Sequence, residues 1–506
     1  MKSLTFKIYT IENINYDAII AKYKELCEQG EKKVDVSSIS VYGNDMKYIT
    51  IKKSRKPLKD DTRIKNKAIY LVHTIAYRQI TNRENNVEGT SLKFAVLQSV
   101  LGEDARELLK ALEDLKYIVK SNLYIIGKTS RHYKVIGNIN SMYCSNLTIK
   151  KYIDKTKQIL KDAVLEKMTS PIFKALYGDS FADTYIKNLN KFRIKDENGF
   201  NSFVNNQIEI EPTKEHYYRF IKKSFKSDLK IYSIDSNNRI YHLLTSLERE
   251  LKQFINIRFS IDCRNSHPVL FNYFIFKSKG ISIELSYLIS NILFNIDYNS
   301  IYSDFNNHYD MEKICNILIH NNVNNSIIAR FTHDELLYLW KTTTGIFWDD
   351  ILKVHCDLDR AEIKEKMFAE VFYSKTPKIS WKEFAKEFKK EYPNVYALIL
   401  KWKEPLKYDD LKNYLLSRKK AVGIQGTTIT LSPETALPNV MMDLESDIFR
   451  EVLKSLYRKR IPAIHIHDAI VVPDTRTKVE IDRIEDVMRT VYKKYGLHPS
   501  FSVDTY

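Results

Sequence analysis

The 506-residue chain contains no run of 18 or more uninterrupted apolar residues, which excludes a conventional membrane-spanning helix. Its opening, MKSLTFKIYTIENINYD, lacks the successive basic, apolar and small-residue regions of a secretory signal. The five cysteines (Cys27, Cys144, Cys263, Cys315 and Cys356) are scattered and form no CxxC pair. That argues against structural zinc and against a disulfide framework, and a reducing cytoplasm is the simplest home. Glycine is scarce, at 13 residues. No internal repeat and no long low-complexity tract interrupts the chain.

What the chain has instead is charge. Lys and Arg outnumber Asp and Glu by 80 to 63, leaving a formal net charge of +17. A polyanion partner is the leading explanation, and nucleic acid is the commonest polyanion. Charge sets affinity for phosphate but says nothing about chemistry. Lys, Ile, Asn and Tyr are abundant, which fits an AT-rich genome better than any function. The length allows one large core and favours two or three domains.

Residues 1–65 read as a basic segment, with KKSRKPLKDDTR as an exposed connector. Residues 66–138 read as helix, helix, helix, hairpin. KNKAIYLVHTIAYRQI has helical spacing. SLKFAVLQSVLG stops at Gly102. DARELLKALEDLKY places Leu108, Leu109, Leu112 and Leu115 on one face. Two strands then flank Gly127–Ser130. This is the order of a winged helix-turn-helix, whose wing would offer Lys128, Arg131 and Lys134 to nucleic acid. Contact with protein instead remains open. Residues 139–254 read as a helical middle. There NNRIYHLLTSLERELKQF is expected to become a helix exposing Arg239, Arg249 and Lys252. Residues 255–506 alternate short strands with long helices, giving an α+β class overall.

Three segments carry the chemistry. In FSIDCRNSHP an apolar strand ends at Asp262, where a carboxylate suits a hard oxygen-seeking cation; turn formation explains the same residue. In AIHIHDAIVV the pair His467-Asp468 interrupts an apolar run, which is costly without a partner or a metal; a β-turn explains it too. In DRAEIKEKMFAEVFYSK, Arg360, Lys364, Phe368 and Phe372 recur every four residues, each about 40° past a full turn. The resulting stripe is cationic, then aromatic, as an incoming nucleoside triphosphate would require. An ordinary amphipathic helix has the same pattern.

Taken in order, the three segments resemble the palm and fingers motifs of family A DNA polymerases and the related single-subunit phage-type RNA polymerases. The resemblance covers roughly residues 240–506. Arg360, Lys364 and Phe368 match R-x3-K-x3-(F or M)-x3-Y-G. Phe372 takes the Tyr position, and Tyr373 replaces the Gly. The family's pattern implies a right-hand fold, 139–254 as thumb or linker and 255–506 as palm and fingers. It implies two Mg²⁺ (or Mn²⁺) ions about 3.5–4 Å apart on Asp262 and Asp468, with the Cys263 carbonyl completing a shell. It further implies Arg360 and Lys364 on the triphosphate, Lys364 as proton donor to pyrophosphate, Phe372 against the nascent base pair and His467 at the primer end. The partners implied are a DNA template and primer and nucleoside triphosphates.

The departures are specific. His267 stands where the family has a Glu five residues after the first Asp. Ala469 follows the second Asp where an acidic residue is usual. IQGT, containing Gln425, lies farther from the His-Asp pair than the family's similar segment. No segment reads as a 3′–5′ exonuclease. Phe372 lacks a hydroxyl to sense a ribose, which favours DNA as product. Competing expectations are a winged-helix replication initiator or regulator with an inactive palm, an RNA polymerase or primase, and a template-independent nucleotidyltransferase.

Overall fold

The computed structural model describes residues 6–28, 57–81, 90–92, 94–120, 131–227, 229–235, 239–303, 308–355, 358–374, 382–404, 407–408, 410–413, 415, 433–474 and 481–506. The protein is mixed α+β, dominated by helices with small antiparallel sheets. It forms two compact units. One comprises Met1–Leu165 with Val204–Phe220, the other Glu166–Phe203 with Ile221–Tyr506.

The first unit contains β1 (Phe6–Ile11), β2 (Thr90–Leu92), β3 (Ile118–Lys120), β4 (Arg131–Val135) and β5 (Ile139–Cys144). The opening segment, expected only to be basic, supplies β1 and the helix Tyr16–Glu28, and β1 pairs antiparallel with β5. Residues 52–56 of the basic connector lie outside the described residues, while Arg63 falls within the helix Asp61–Thr81. That helix is followed by β2, the helices Phe94–Leu101 and Asp104–Asp114, and the pair β3–β4. The sheet order is β2-β4-β3, with Ile118 opposite Val135.

The Thr90–Leu92 stretch is thus a strand, not the start of a helix. Gly102, at φ 74°, stops the following helix in a left-handed conformation that costs glycine little. Leu108, Leu109 and Leu112 are buried as their spacing requires, and Leu115 at the helix end is half-buried. Lys128 and the Arg131 side chain lie outside the described residues; Lys134 is half-buried.

The second unit holds β6 (Ile231–Ile234), β7 (Ile240–His242), β8 (Ile257–Cys263), β9 (Tyr302–Ser303), β10 (His308–Tyr309), β11 (Ile464–Ile466), β12 (Ala469–Pro473) and β13 (Phe501–Thr505). Residues 237–254 do not form the expected helix. After β7 the chain makes two 3₁₀ segments, Leu243–Ser246 and Arg249–Phe254. His242 caps the first of them: its Nδ1 accepts from the Leu244 amide, and its own amide donates to the Thr245 hydroxyl. Leu247 and Glu248, with extended backbone at ψ 125° and 146°, then separate the two segments.

A four-stranded antiparallel sheet, ordered β11-β12-β8-β13, is the frame of the unit. Alternation along β8 buries Ile257, Phe259, Ile261 and Cys263 and leaves Arg258 and Asp262 half-buried on the other face. The helices Pro433–Arg458 and Ile481–Lys493 pack together, and the latter brings Tyr492 to the Cys263 thiol. The first of these helices begins ahead of residue 437, so Pro438 lies inside it. The last strand, β13, was not anticipated.

In the first unit a buried ion pair ties two helices. Lys67 meets Asp104, which also accepts a 2.5 Å hydrogen bond from the Tyr23 hydroxyl. Removing one member strands the other charge. Asp104→Ala should therefore destabilise the unit by about 3–5 kcal/mol in denaturant unfolding. The double variant Lys67→Met, Asp104→Leu should recover most of that loss.

Candidate active site

The register of the central sheet decides where the expected acids lie. Asp262 is directly opposite Ala469, and the Cys263 amide donates to the Asp468 carbonyl at 3.2 Å. Asp262, near the end of β8, and Asp468, in the turn before β12, therefore share one end of the sheet, although 206 positions separate them. Ile466 pairs with Ala469, so His467 and Asp468 are the two residues of a tight hairpin turn. His467 takes φ 52°, as the right-handed twist of a two-residue hairpin demands. The costly interruption of an apolar run is thus a turn, and the turn delivers the carboxylate.

Burial and like charge dominate this corner. The Asp262 carboxyl is pushed up to about 7, first by burial and then by the Asp468 charge, with Lys364 and Lys252 opposing. Asp468 is raised by burial and by Glu445, with His267 opposing. Asp504 adds a weaker repulsion at Asp262 from β13, where it pairs with Ser260 on the same face.

Glu445 is the acid that sequence reasoning missed. Its side chain is 5% exposed, on the helix Pro433–Arg458. Burial raises its pKa and Arg239 counters this from 3.2 Å. The available signal was an acidic residue in register with Met441, Leu444 and Ile448 on a buried helical stripe. Arg239 is consequently not the exposed cation expected. It is 15% exposed and holds Asp235 at 3.1 Å, Glu445 and the Tyr241 hydroxyl at 2.9 Å. Of its two expected companions, Arg249 is exposed, and Lys252 is half-buried with its pKa lowered chiefly by burial.

His267 connects this ion pair to the segment Arg360–Tyr373. Its Nε2 lies 3.5 Å from Glu445, and its Nδ1 lies 2.7 Å from the Tyr373 hydroxyl. Burial lowers its pKa to about 4, so the ring is neutral at pH 7. A carboxylate facing Nε2 favours the proton there, which leaves Nδ1 to accept from Tyr373.

The helix carrying the four-residue stripe starts at Arg360 with a capping box. Asp359 accepts from Ala361 and Glu362, and Glu362 returns a bond to the Asp359 amide. Arg360 is exposed, 3.7 Å from Asp349. Lys364 is exposed, 5.9 Å over the Trp348 ring, and its charge reaches Asp262. Phe368 stacks on Tyr373 at 5.2 Å and meets His267 edge-on at 5.3 Å.

The stripe then breaks. Met367–Phe372 is a π-helical turn, and the Tyr373 amide donates to the Phe368 carbonyl at 2.7 Å. Phe372 is fully buried against Phe271, at 5.8 Å, so it cannot face a base pair as expected. Tyr373, half-buried, is the ring that meets Phe368 and His267. A fixed spacing of four assumed an unbroken α-helix, and one extra residue per turn overturns it.

Behind the hairpin, His242 Nε2 donates to the His465 carbonyl at 2.9 Å, and the Tyr185 hydroxyl lies 3.3 Å from His465 Nδ1. Burial lowers both histidines, to about 4 and about 3. His467 itself is exposed and meets the Tyr241 ring edge-on at 6.4 Å. The Cys263 thiol is buried, with its pKa raised by burial, and it meets Tyr492. Any metal-holding role therefore falls to its carbonyl. Among the described residues, no three His, Cys, Asp or Glu side chains form a ready metal cage. Gln425 lies outside the described residues.

The raised Asp262 carboxyl makes a pH-dependent prediction. The native state holds this proton above the unfolded pKa of 3.8, so Asp262 favours folding at low pH and loses that contribution as pH rises through about 7. Without divalent cations, Asp262→Asn should match the wild-type melting temperature near pH 4. By pH 8 it should exceed it by roughly 2–8 °C. A difference independent of pH would remove Asp262 from the strained pair. No protein-family pattern and no curated protein sequence matches the chain.

Proposed function

We propose that the protein is a template-directed nucleotidyltransferase, a compact DNA-dependent polymerase acting in the cytoplasm on nucleoside triphosphates and a primed template. One observation carries this reading. The sheet register brings Asp262 and Asp468 to the same strand ends, with the Lys364 ammonium in electrostatic reach. Two half-buried carboxylates that resist joint ionisation fit a hard divalent cation, which takes oxygen ligands and is commonly held by one or two carboxylates plus phosphate. Asp262 and Asp468 would hold Mg²⁺ or Mn²⁺, two ions in all, with the Cys263 carbonyl as a further oxygen. Bound there, the ions would neutralise phosphate charge and make a primer hydroxyl more acidic.

The chain's own groups supply the remainder. Arg360 and Lys364 are exposed on successive turns of one helix and offer cations to a triphosphate. Lys364 also stands where a leaving pyrophosphate would need a proton. Phe368 and the stacked Tyr373 present rings towards the nucleotide. His467, exposed on the turn, is placed to orient a primer end. Glu445 and Arg239 fix the neutral His267 beside Tyr373. Phe372 no longer argues for a DNA product, because a phenol stands on the site face.

The first unit supports a DNA-binding role. Its helix, strand, helix, helix, two-strand order is that of a winged helix, with Lys134 on one wing strand. The same order favours a second reading, a replication initiator that binds duplex specifically and adds no nucleotide. In the polymerase reading the second unit combines palm, fingers and only the 166–203 and 221–254 parts of the expected linker or thumb; residues 139–165 and 204–220 belong to the first unit. Replication of a plasmid, phage or mobile element suits such a combination.

Purified wild-type protein should extend a primer with Mg²⁺, and Asp468→Asn should abolish extension; undiminished extension by that variant would remove Asp468 from the chemistry. Lys364→Ala should lower kcat by about 10²–10⁴ if it donates the proton. Side-by-side incorporation of ribo- and deoxynucleotides separates RNA from DNA synthesis.

A further inference from the structure

The π-helical turn has a clamp. Lys403, at the end of the helix Pro393–Lys403, is 1% exposed. Its ammonium donates to the Val371 carbonyl at 2.7 Å and to the Ser374 hydroxyl. Both acceptors are neutral, and burial alone lowers its pKa, to about 8. A cation placed this deep with no carboxylate partner among the described residues needs a structural reason.

Val371 and Ser374 bracket Phe372 and Tyr373. Carbonyls at the end of a helix lack intrahelical donors, and Lys403 supplies one. The favourable interaction of a cation with the negative end of a helix acts in the same direction. In an unbroken α-helix, residues 360, 364, 368 and 372 would share a stripe. One extra residue in the last turn replaces 372 by 373. The bond from the Tyr373 amide to the Phe368 carbonyl, five residues back, marks that extra residue. The result is Phe372 against Phe271 and Tyr373 at 2.7 Å from His267.

We propose that Lys403 is a positioning residue: it clamps a π turn that absorbs one surplus residue in the motif helix, and so delivers Tyr373 rather than Phe372 to His267. That this surface meets a nucleotide rests on the polymerase reading; the register itself does not.

The readout is a fluorotyrosine at position 373 followed by ¹⁹F NMR, with His267→Ala defining the resonance of the broken contact. Lys403→Met keeps the volume and removes both hydrogen bonds, and apolar replacement of a buried charge is commonly tolerated. It should move the resonance to the His267→Ala position. Deleting Ala369, an exposed residue of the π turn, shortens the segment to Phe368-x3-Tyr373. That deletion should keep the native resonance in an ordinary α-helix and restore it when combined with Lys403→Met. In primer extension, Lys403→Met should raise the nucleotide KM about five- to tenfold, the worth of one lost hydrogen bond, with kcat little changed. The double variant should return KM towards wild type.

A native resonance in Lys403→Met, or its loss on deleting Ala369, overturns the proposal. If the resonances move as expected while the wild-type protein adds no nucleotide, the polymerase reading falls and the clamp stands.

Discussion

Everything at the sheet end follows from one pairing, Asp262 opposite Ala469. It forces two carboxylates together where burial already penalises charge, so the surrounding groups must either offset negative charge or carry none. Lys364 and Lys252 approach Asp262 as cations. His267 stays neutral because burial outweighs the nearby acids. Glu445, a third acid, is tolerated because Arg239 sits against it and is itself steadied by Asp235 and Tyr241. Lys364 is exposed and Lys252 half-buried, whereas Arg239 and Glu445 are paired at 15% and 5% exposure. Retaining a proton on Asp262 up to about pH 7 is how the pair relieves its repulsion in the metal-free protein.

The parts legible in the sequence were those encoded by short-range pattern. Apolar alternation in FSIDC and in the two arms around His467-Asp468 located the strands, and helical spacing located the helix Asp104–Asp114. What escaped depended on partners far along the chain. Glu445 and Arg239 look like surface charges until they are placed opposite each other across 206 positions. Phe501–Thr505 resembles a tail until β8 offers it an edge. Tyr373 escaped for a different reason: the pattern was present, but its spacing presumed a uniform helix. In each case the missing information was a register between elements, which a single sequence expresses only weakly.

The motif helix and the His467-Asp468 hairpin also differ in how they accommodate chain length. The motif helix holds a supernumerary residue, because a helix can widen locally and hide the excess in one turn. The His467-Asp468 hairpin has no such slack. Its turn is already minimal, and it uses a left-handed histidine where asparagine or glycine would be more comfortable. Adding or removing a residue there would reverse the facing of every side chain beyond it. The motif helix can drift by one position and still present a ring; the acid at the hairpin tip tolerates no change of count. A change of residue count is therefore easier to place in the motif helix than at the hairpin tip, and the sheet end behaves as the fixed origin of the site.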